Sequence, residues 1–274
     1  MAIAGFILLA VGAVLWWVQR RQQSRCTQLK LARPSQAADL EATATAIAKD
    51  IGGGDWRDYV WLWGTVKAAA PLTSELKQVP CVAYTSTVVR EYEETVRDRD
   101  SKGNVTTRTQ RGSETVSEHT QRIPFELVDT SGQVRVDPEG AKIEPVEVLN
   151  EFRPGNPAGG MLSFGPFSLA LGNDGTGGAR RTLGYRYKET VLAMDRPLLV
   201  VGTASDGRRP ALEGHRTGTV AIEKPTQADQ PYIITTKSHE AITKDVNQSA
   251  QIALWAMVGC FGLGALLVVA AIVT

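Results

Sequence analysis

The chain has 274 residues, with 30 Lys and Arg against 29 Asp and Glu, a net charge of +1, three cysteines and three histidines. Three cysteines preclude a disulfide framework, and with histidines only at 119, 215 and 239 no C-x-x-C or H-x-x-x-H spacing exists, so no metal site and no cofactor are expected. Setting aside the five basic residues of 19–33 leaves 25 basic against 29 acidic residues in 34–251, a net of −4 that excludes a nucleic-acid partner held by a basic face.

Residues 2–18, AIAGFILLAVGAVLWWV, are uncharged, and so is IALWAMVGCFGLGALLVVAAIVT at the other end. As helices rising 1.5 Å per residue they would be roughly 25 Å and 35 Å long against about 30 Å of hydrocarbon. Both are therefore predicted as transmembrane helices, 2–18 and 252–273. A cleaved signal peptide is the rival for the first, but it lacks a preceding basic residue and an A-x-A site. The basic segment 19–34, with Arg20, Arg21 and Arg25, follows the first helix. Its charge is expected either to rest on anionic lipid headgroups or only to set topology, and it places the central domain on the cytoplasmic side.

Residues 35–51 are predicted as a helix, with Ser35 as N-cap and Gly52, Gly53 and Gly54 as its stop. In WRDYVWLWGTVKAA both faces are apolar, which suggests a buried strand or the start of a barrel. From there to residue 225 β signals dominate. The segment CVAYTSTVVREYEETVRDRDSKGNVTTRTQRGSETVSEHTQRIPFELVD reads as two strands meeting at DSKGN. Between about 90 and 122 both of its faces are polar, so it is expected to project into solvent, as a handle for a partner or simply as a solvated hairpin.

DTSG, residues 129–132, sits between Phe125 and Leu127 on one side and Val134 and Val136 on the other. Asp at the first turn position and Gly at the last make it a hairpin connection; an aspartic protease would need the glycine two residues after the acid and a second copy. DPEGA repeats the turn at 137–141. MLSFGPFSLALG, residues 161–172, either packs beneath the β body or offers Phe164 and Phe167 to a lipid or protein partner. GNDGTGGARR lacks the Lys-Ser/Thr of a phosphate loop and reads as a flexible loop. Ser238, His239 and Asp245 hold triad residue types, but closeness in sequence proves nothing about geometry, and no G-x-S-x-G is present. No catalytic residue is assigned. Ala256, Cys260 and Gly264 form a small-residue stripe at i, i+4 and i+8 that would let the second helix pack closely on the first or on a second copy.

The order of the pieces resembles the GIDE, or "beside a membrane", domain. The resemblance covers roughly residues 56–242 and rests on Gly64 with Val66, Pro71-Leu72, Pro80-Cys81-Val82 with Tyr84, Pro124-Phe125 with Asp129 and Gly132, Pro138 with Gly140-Ala141, Tyr187 with Glu189, and Ser238 with Glu240. In the organellar outer-membrane ubiquitin ligases of that family, ligase chemistry belongs to a zinc-bound RING after the second helix, and the domain lies on the far side of the membrane. The three cysteines here cannot build two such zinc sites. The expectation is thus a mainly β domain with a long hairpin and a short helix, flanked by two transmembrane helices. It would bind or sense a membrane-associated protein, a peptide or membrane lipids without catalysis. The alternatives are an accessory ligase-family member working with a separate RING, and a membrane organiser that forms homo-oligomers.

Overall fold

The computed structural model describes residues 27–51, 56–99, 105–155, 160–170, 180–206 and 220–244, with residues 10, 11, 13, 14, 16, 17, 20, 248, 251, 254 and 255 described singly or in pairs. The β-rich expectation holds for these residues: fifteen strands and one long helix, α1 (Ala37–Ile51), are described. The two flanking transmembrane helices do not hold. Among the described residues no helix is long and apolar enough to cross a membrane, and most of 2–18 and 252–273 lies outside them. An uncharged run is only a necessary condition for a span. Crossing also needs a continuous helix of about 20 residues, and the first run has fewer. The two-pass membrane localisation, and the sidedness argued from charge, fall with it.

Residues 27–34 of the basic segment are built into the fold. Residues 27–31 are helical, and Leu29 and Ala32 are buried with Leu199, Val201, Ile233 and Ile242. Arg33 starts the short strand β1 (Arg33–Pro34) and pairs with Asp58 at 2.6 Å.

The chain divides into two compact units, each made of separated stretches. The first comprises Met1–Thr65, Glu126–Ile143 and Pro197–Thr274; the second comprises Val66–Phe125 and Glu144–Arg196.

In the first unit β2 (Arg57–Lys67) pairs antiparallel with β13 (Pro197–Asp206), from Arg57 opposite Ser205 to Thr65 opposite Pro197. The pairings β2–β6–β7–β14–β13 return to β2 and so close a ring, where β6 is Phe125–Val128, β7 Gln133–Val136 and β14 Val220–Glu223. β15 (Ile233–Thr235) pairs with β13 on the same edge as β14, β8 (Lys142–Ile143) pairs with β15, and β1 lies beside β2. Residues opposite one another share a face. Val200 therefore lies with Leu62 and Ile234, and Ile222 with Ala204 and Val136; all six are buried. Gly202 is required by close approach, because a Cβ there would meet Ile222 and the Tyr232 ring at 2.7 and 2.8 Å. The alternate residues Leu199 and Val201 face outward beneath residues 27–31 and Ile242, with Tyr59 and Trp61 against them.

DTSG is the β6–β7 turn, closed by Asp129 N–H donating to the Gly132 carbonyl at 3.0 Å. It also caps α1. Ala37 N–H donates to Asp129 Oδ2 at 2.8 Å, and Ala38 N–H to Ser131 Oγ at 3.0 Å, so the first free amides of the helix find oxygens from a distant turn. Burial would raise the Asp129 pKa, but the hydrogen bonds from Ala37, Ser131 and Gly132 outweigh it and hold the carboxyl below its ordinary value.

The second unit is an open sheet. β4 (Pro80–Arg99) pairs with β12 (Arg180–Ala193) on one side and with β5 (Val105–Arg122) on the other; β9 (Val146–Pro154) lies outside β12, and β3 (Leu72–Thr73) touches the start of β4. MLSFGPFSLA forms the hairpin of β10 (Met161–Phe164) and β11 (Phe167–Ala170), turning at Gly165, whose φ of 58° suits glycine. The hairpin packs Leu162 and Phe164 on Val88, Tyr185 and Tyr187.

Candidate interaction surface on the open sheet

Side chains on β4 alternate between two environments. Tyr84, Ser86, Val88 and Arg90 are buried on one face, opposite Val191, Glu189, Tyr187 and Tyr185 of β12. The other face carries Thr85, Thr87, Val89, Glu91 and Glu93 opposite Thr190, Lys188, Arg186, Gly184 and Arg181. Polar residues on a period of two make this second face a solvated one.

At one end of the covered face, Glu189 is fully buried. It accepts from Ser74 Oγ at 2.9 Å, Leu76 N–H at 2.7 Å and Lys77 N–H at 2.8 Å, and so fixes the turn at residues 74–78. Beside it, burial and then the Glu189 charge push the Cys81 thiol up to about 11, the setting of an inert structural cysteine. Glu75 Oε2 accepts from Ser86 Oγ at 2.5 Å and lies 3.2 Å from His119 Nδ1. Tyr84 OH is 3.4 Å from the same nitrogen and donates to Gln121 Oε1 at 3.1 Å. Nucleophilic catalysis places the imidazole between hydroxyl and carboxylate. Here the carboxylate stands between hydroxyl and imidazole, so the cluster ties the turn at 74–78 to β4 and β5 rather than activating Ser86.

The Ser238, His239 and Asp245 set also fails as a triad. His239 stacks on Trp61 at 4.9 Å with Nε2 3.1 Å from the Leu29 carbonyl, and Ser238 Oγ accepts from Ala241 N–H; Asp245 lies outside the described residues.

At the other end of the sheet the side chains are guanidinium and carboxylate. Arg90 donates from Nε to Thr182 Oγ1 at 2.9 Å and from Nη1 to Glu114 at 3.0 Å. Arg180 lies over the Tyr92 ring at 4.9 Å and pairs with Glu94 at 3.3 Å. On the solvated face Arg186 pairs with Glu91 at 2.7 Å, while Glu93 is shared by Arg111 at 3.3 Å and Arg181 at 3.5 Å.

The hairpin is less detached than its polarity suggested. β12 flanks β4 out to Arg180 opposite Glu94, so only residues 95–99 and 105–109 form a two-stranded ribbon. Among the described residues β5 pairs with β4 alone, which leaves its outer edge open.

Of the residues singled out from sequence, Phe164 is 8% exposed, tilted against the Tyr187 ring with centroids 4.8 Å apart, and covered by the Arg153 guanidinium at 4.0 Å. Phe167 is half-buried against the same cluster. Arg20 is exposed and lies over the Trp16 ring at 5.5 Å. Arg21, Arg25, Ala256, Cys260 and Gly264 lie outside the described residues. Arg97, Arg108, Arg111 and Arg181 were not singled out. For Arg108 and Arg111 the signal is the acid-free run VTTRTQR at 105–111.

A family model described as GIDE, E3 ubiquitin ligase, matches residues 93–270, more than half of the chain. Neither the curated proteins nor the solved structures contain a match.

Proposed function

We propose that this chain, which belongs to the GIDE (E3 ubiquitin ligase) family, is a recognition module that binds a protein partner through the open sheet of its second unit without transforming it. The observation that carries the reading is β5, eighteen residues long, exposed along most of its length and, among the described residues, paired on one side only. An open strand edge is a template for another chain and natural proteins seldom leave one long and uncovered. The polar clusters beneath it support the same reading, because each is engaged in holding a turn or a strand pair. Family membership favours a partner destined for, or belonging to, ubiquitin transfer, with the catalytic step carried by a separate module.

The test is site-specific photo-crosslinking in cells. A crosslinking residue at position 113 on β5 should give one discrete adduct with a foreign protein, and the same residue at position 45 on α1 should give none. A ladder of self-adducts would support homo-oligomeric assembly instead. Adducts from position 45 without any from 113 would overturn the reading. Ubiquitin transfer by the purified chain unaided would do the same.

A further inference from the structure

We propose that residues 105–115 of β5 take up an extended acidic segment of a partner chain as an added strand, a deepening that rests on the recognition reading above. The pairing of β5 with β4 is regular from Arg99 opposite Val105 to Val89 opposite Thr115, and its one shift falls between Val88 and Val89, where Thr115 and Ser117 are the neighbouring partners. Over those eleven residues, about 35 Å of strand, the outward N–H and C=O groups follow one unbroken spacing. Residues 105–111 are all exposed. The stretch contains no proline to interrupt an added ladder.

Charge selects the occupant. Among the described residues neither Arg97 nor Arg108 meets a carboxylate, and both are exposed. Arg111 shares Glu93 with Arg181, and both of those guanidinium side chains are 79% exposed. Glu114, the one acid in the run, is already engaged by Arg90 at 3.0 Å and lies 3.9 Å from Arg180. The edge therefore carries surplus positive charge. A second copy fits less well, because two of the antiparallel self-pairings near the middle of this run bring Arg108 opposite Arg111 or Arg111 opposite itself, and like charges directly opposite are destabilising. An acidic strand meets the same arginines favourably. Arg108 and Arg111 are three apart and so lie on opposite faces of β5. Acids three residues apart in an added antiparallel strand would sit opposite both. Main-chain bonding would supply affinity and the two arginines selectivity.

The probe is a fluorescein-labelled ten-residue peptide of Val and Thr with Glu at its fourth and seventh positions, titrated into the full chain. Saturable binding with slowed amide exchange in 105–115 is expected. Of two versions N-methylated at alternate residues, one should lose binding and the other keep it. The double variant Arg108→Glu, Arg111→Glu should bind about 30-fold more weakly, and a peptide with Lys in place of both Glu should recover binding to it. The charge-reversed peptide keeps the test meaningful should the variant be less stable. Equal binding of both N-methylated peptides would reduce the contact to charge alone and overturn strand addition. An unmodified peptide that does not bind would also overturn it, as would self-association in sedimentation that the double variant abolishes. If the adduct from position 113 persists unchanged in the double variant, recognition stands and the acidic strand falls. If no adduct forms there at all, both fall.

Discussion

In the first unit β13 is paired on both sides: β2 runs along one edge, and β15 and β14 share the other. In the second unit β5 has β4 on one side and no strand on the other among the described residues. The ring encloses aliphatic side chains, Leu62, Val136, Leu198, Val200, Ile222 and Ile234, all buried. The distal part of the open sheet is instead lined with Arg, Glu and Thr on both faces. A strand bonded along both edges has no backbone groups left for a partner, whereas an open edge has all of its outward ones. The ring is thus suited to holding shape and the open sheet to meeting another molecule.

That contrast breaks most readily at the ring. Leu62→Ala removes a fully buried side chain and should cost about 3 kcal/mol, because the closed ring cannot collapse into the cavity. Chemical denaturation should show this loss while peptide binding at β5 is unchanged. Loss of peptide binding at temperatures where the variant stays folded would mean that the two units do not divide the work as described.

The next effect lies in the second unit. Glu189→Gln keeps the shape but turns an amide N–H₂ toward donors that need an acceptor, and should cost about 2 kcal/mol. A second readout is the thiol beside it. In a chain carrying Cys26→Ser and Cys260→Ser, alkylation of Cys81 should titrate near 11 and shift lower in the Gln variant, staying above an ordinary thiol because burial remains. The sign for stability follows. A thiol raised in the folded state contributes fully below the unfolded thiol's ordinary value, and the contribution is lost as pH rises toward about 11. Wild type should therefore weaken across that alkaline window, and Glu189→Gln should flatten the loss.

Smaller still is the cap on α1. Asp129→Ala should cost about 1 kcal/mol and speed amide exchange in the first turn of the helix. Because the Asp129 carboxyl is held low in the folded protein, its contribution is present above the unfolded carboxylate value and lost as pH falls through the lower folded one. Acid titration of wild type against Asp129→Ala should show the two converging at low pH.

Much of this architecture is local and was legible in the sequence. The turn chemistry of DTSG, the alternation flanking it and the two polar strands on either side of DSKGN each depend on neighbours within a few residues. What escaped depends on residues far apart. Closure of the ring needs β2 beside β13, with Val60 opposite Gly202, and no local pattern encodes that pairing. The cap joins Asp129 to Ala37, 92 residues away. The polarity of residues 90–94 predicts projection into solvent, yet β12 lies along that stretch; a strand can be polar on both faces when its neighbour supplies the opposite charge. The apolar ends misled for the converse reason. Hydrophobicity along the chain reports a preference for burial and leaves open what does the burying, as Leu29 in the first unit's core illustrates.

The smallest effect is the one that bears on whether the solvated face is structure or surface. Arg181→Ala removes one of two guanidinium groups sharing Glu93, from a side chain that is mostly exposed. Exposed pairs are worth roughly 0–1 kcal/mol, and Arg111 remains at 3.3 Å to hold the carboxylate, so stability should change by less than about 0.5 kcal/mol. Binding of the acidic peptide should nevertheless weaken severalfold at low salt, because the freed share of Glu93 repels it and a nearby cation is gone. Raising ionic strength should erase that difference. A residue that leaves folding untouched and alters only a salt-dependent association is held in place for what approaches the sheet. If Arg181→Ala instead lowered stability without touching binding, the arginine and glutamate ladder would be part of the fold's own framework, and the open edge would have to recognise its partner through the backbone alone.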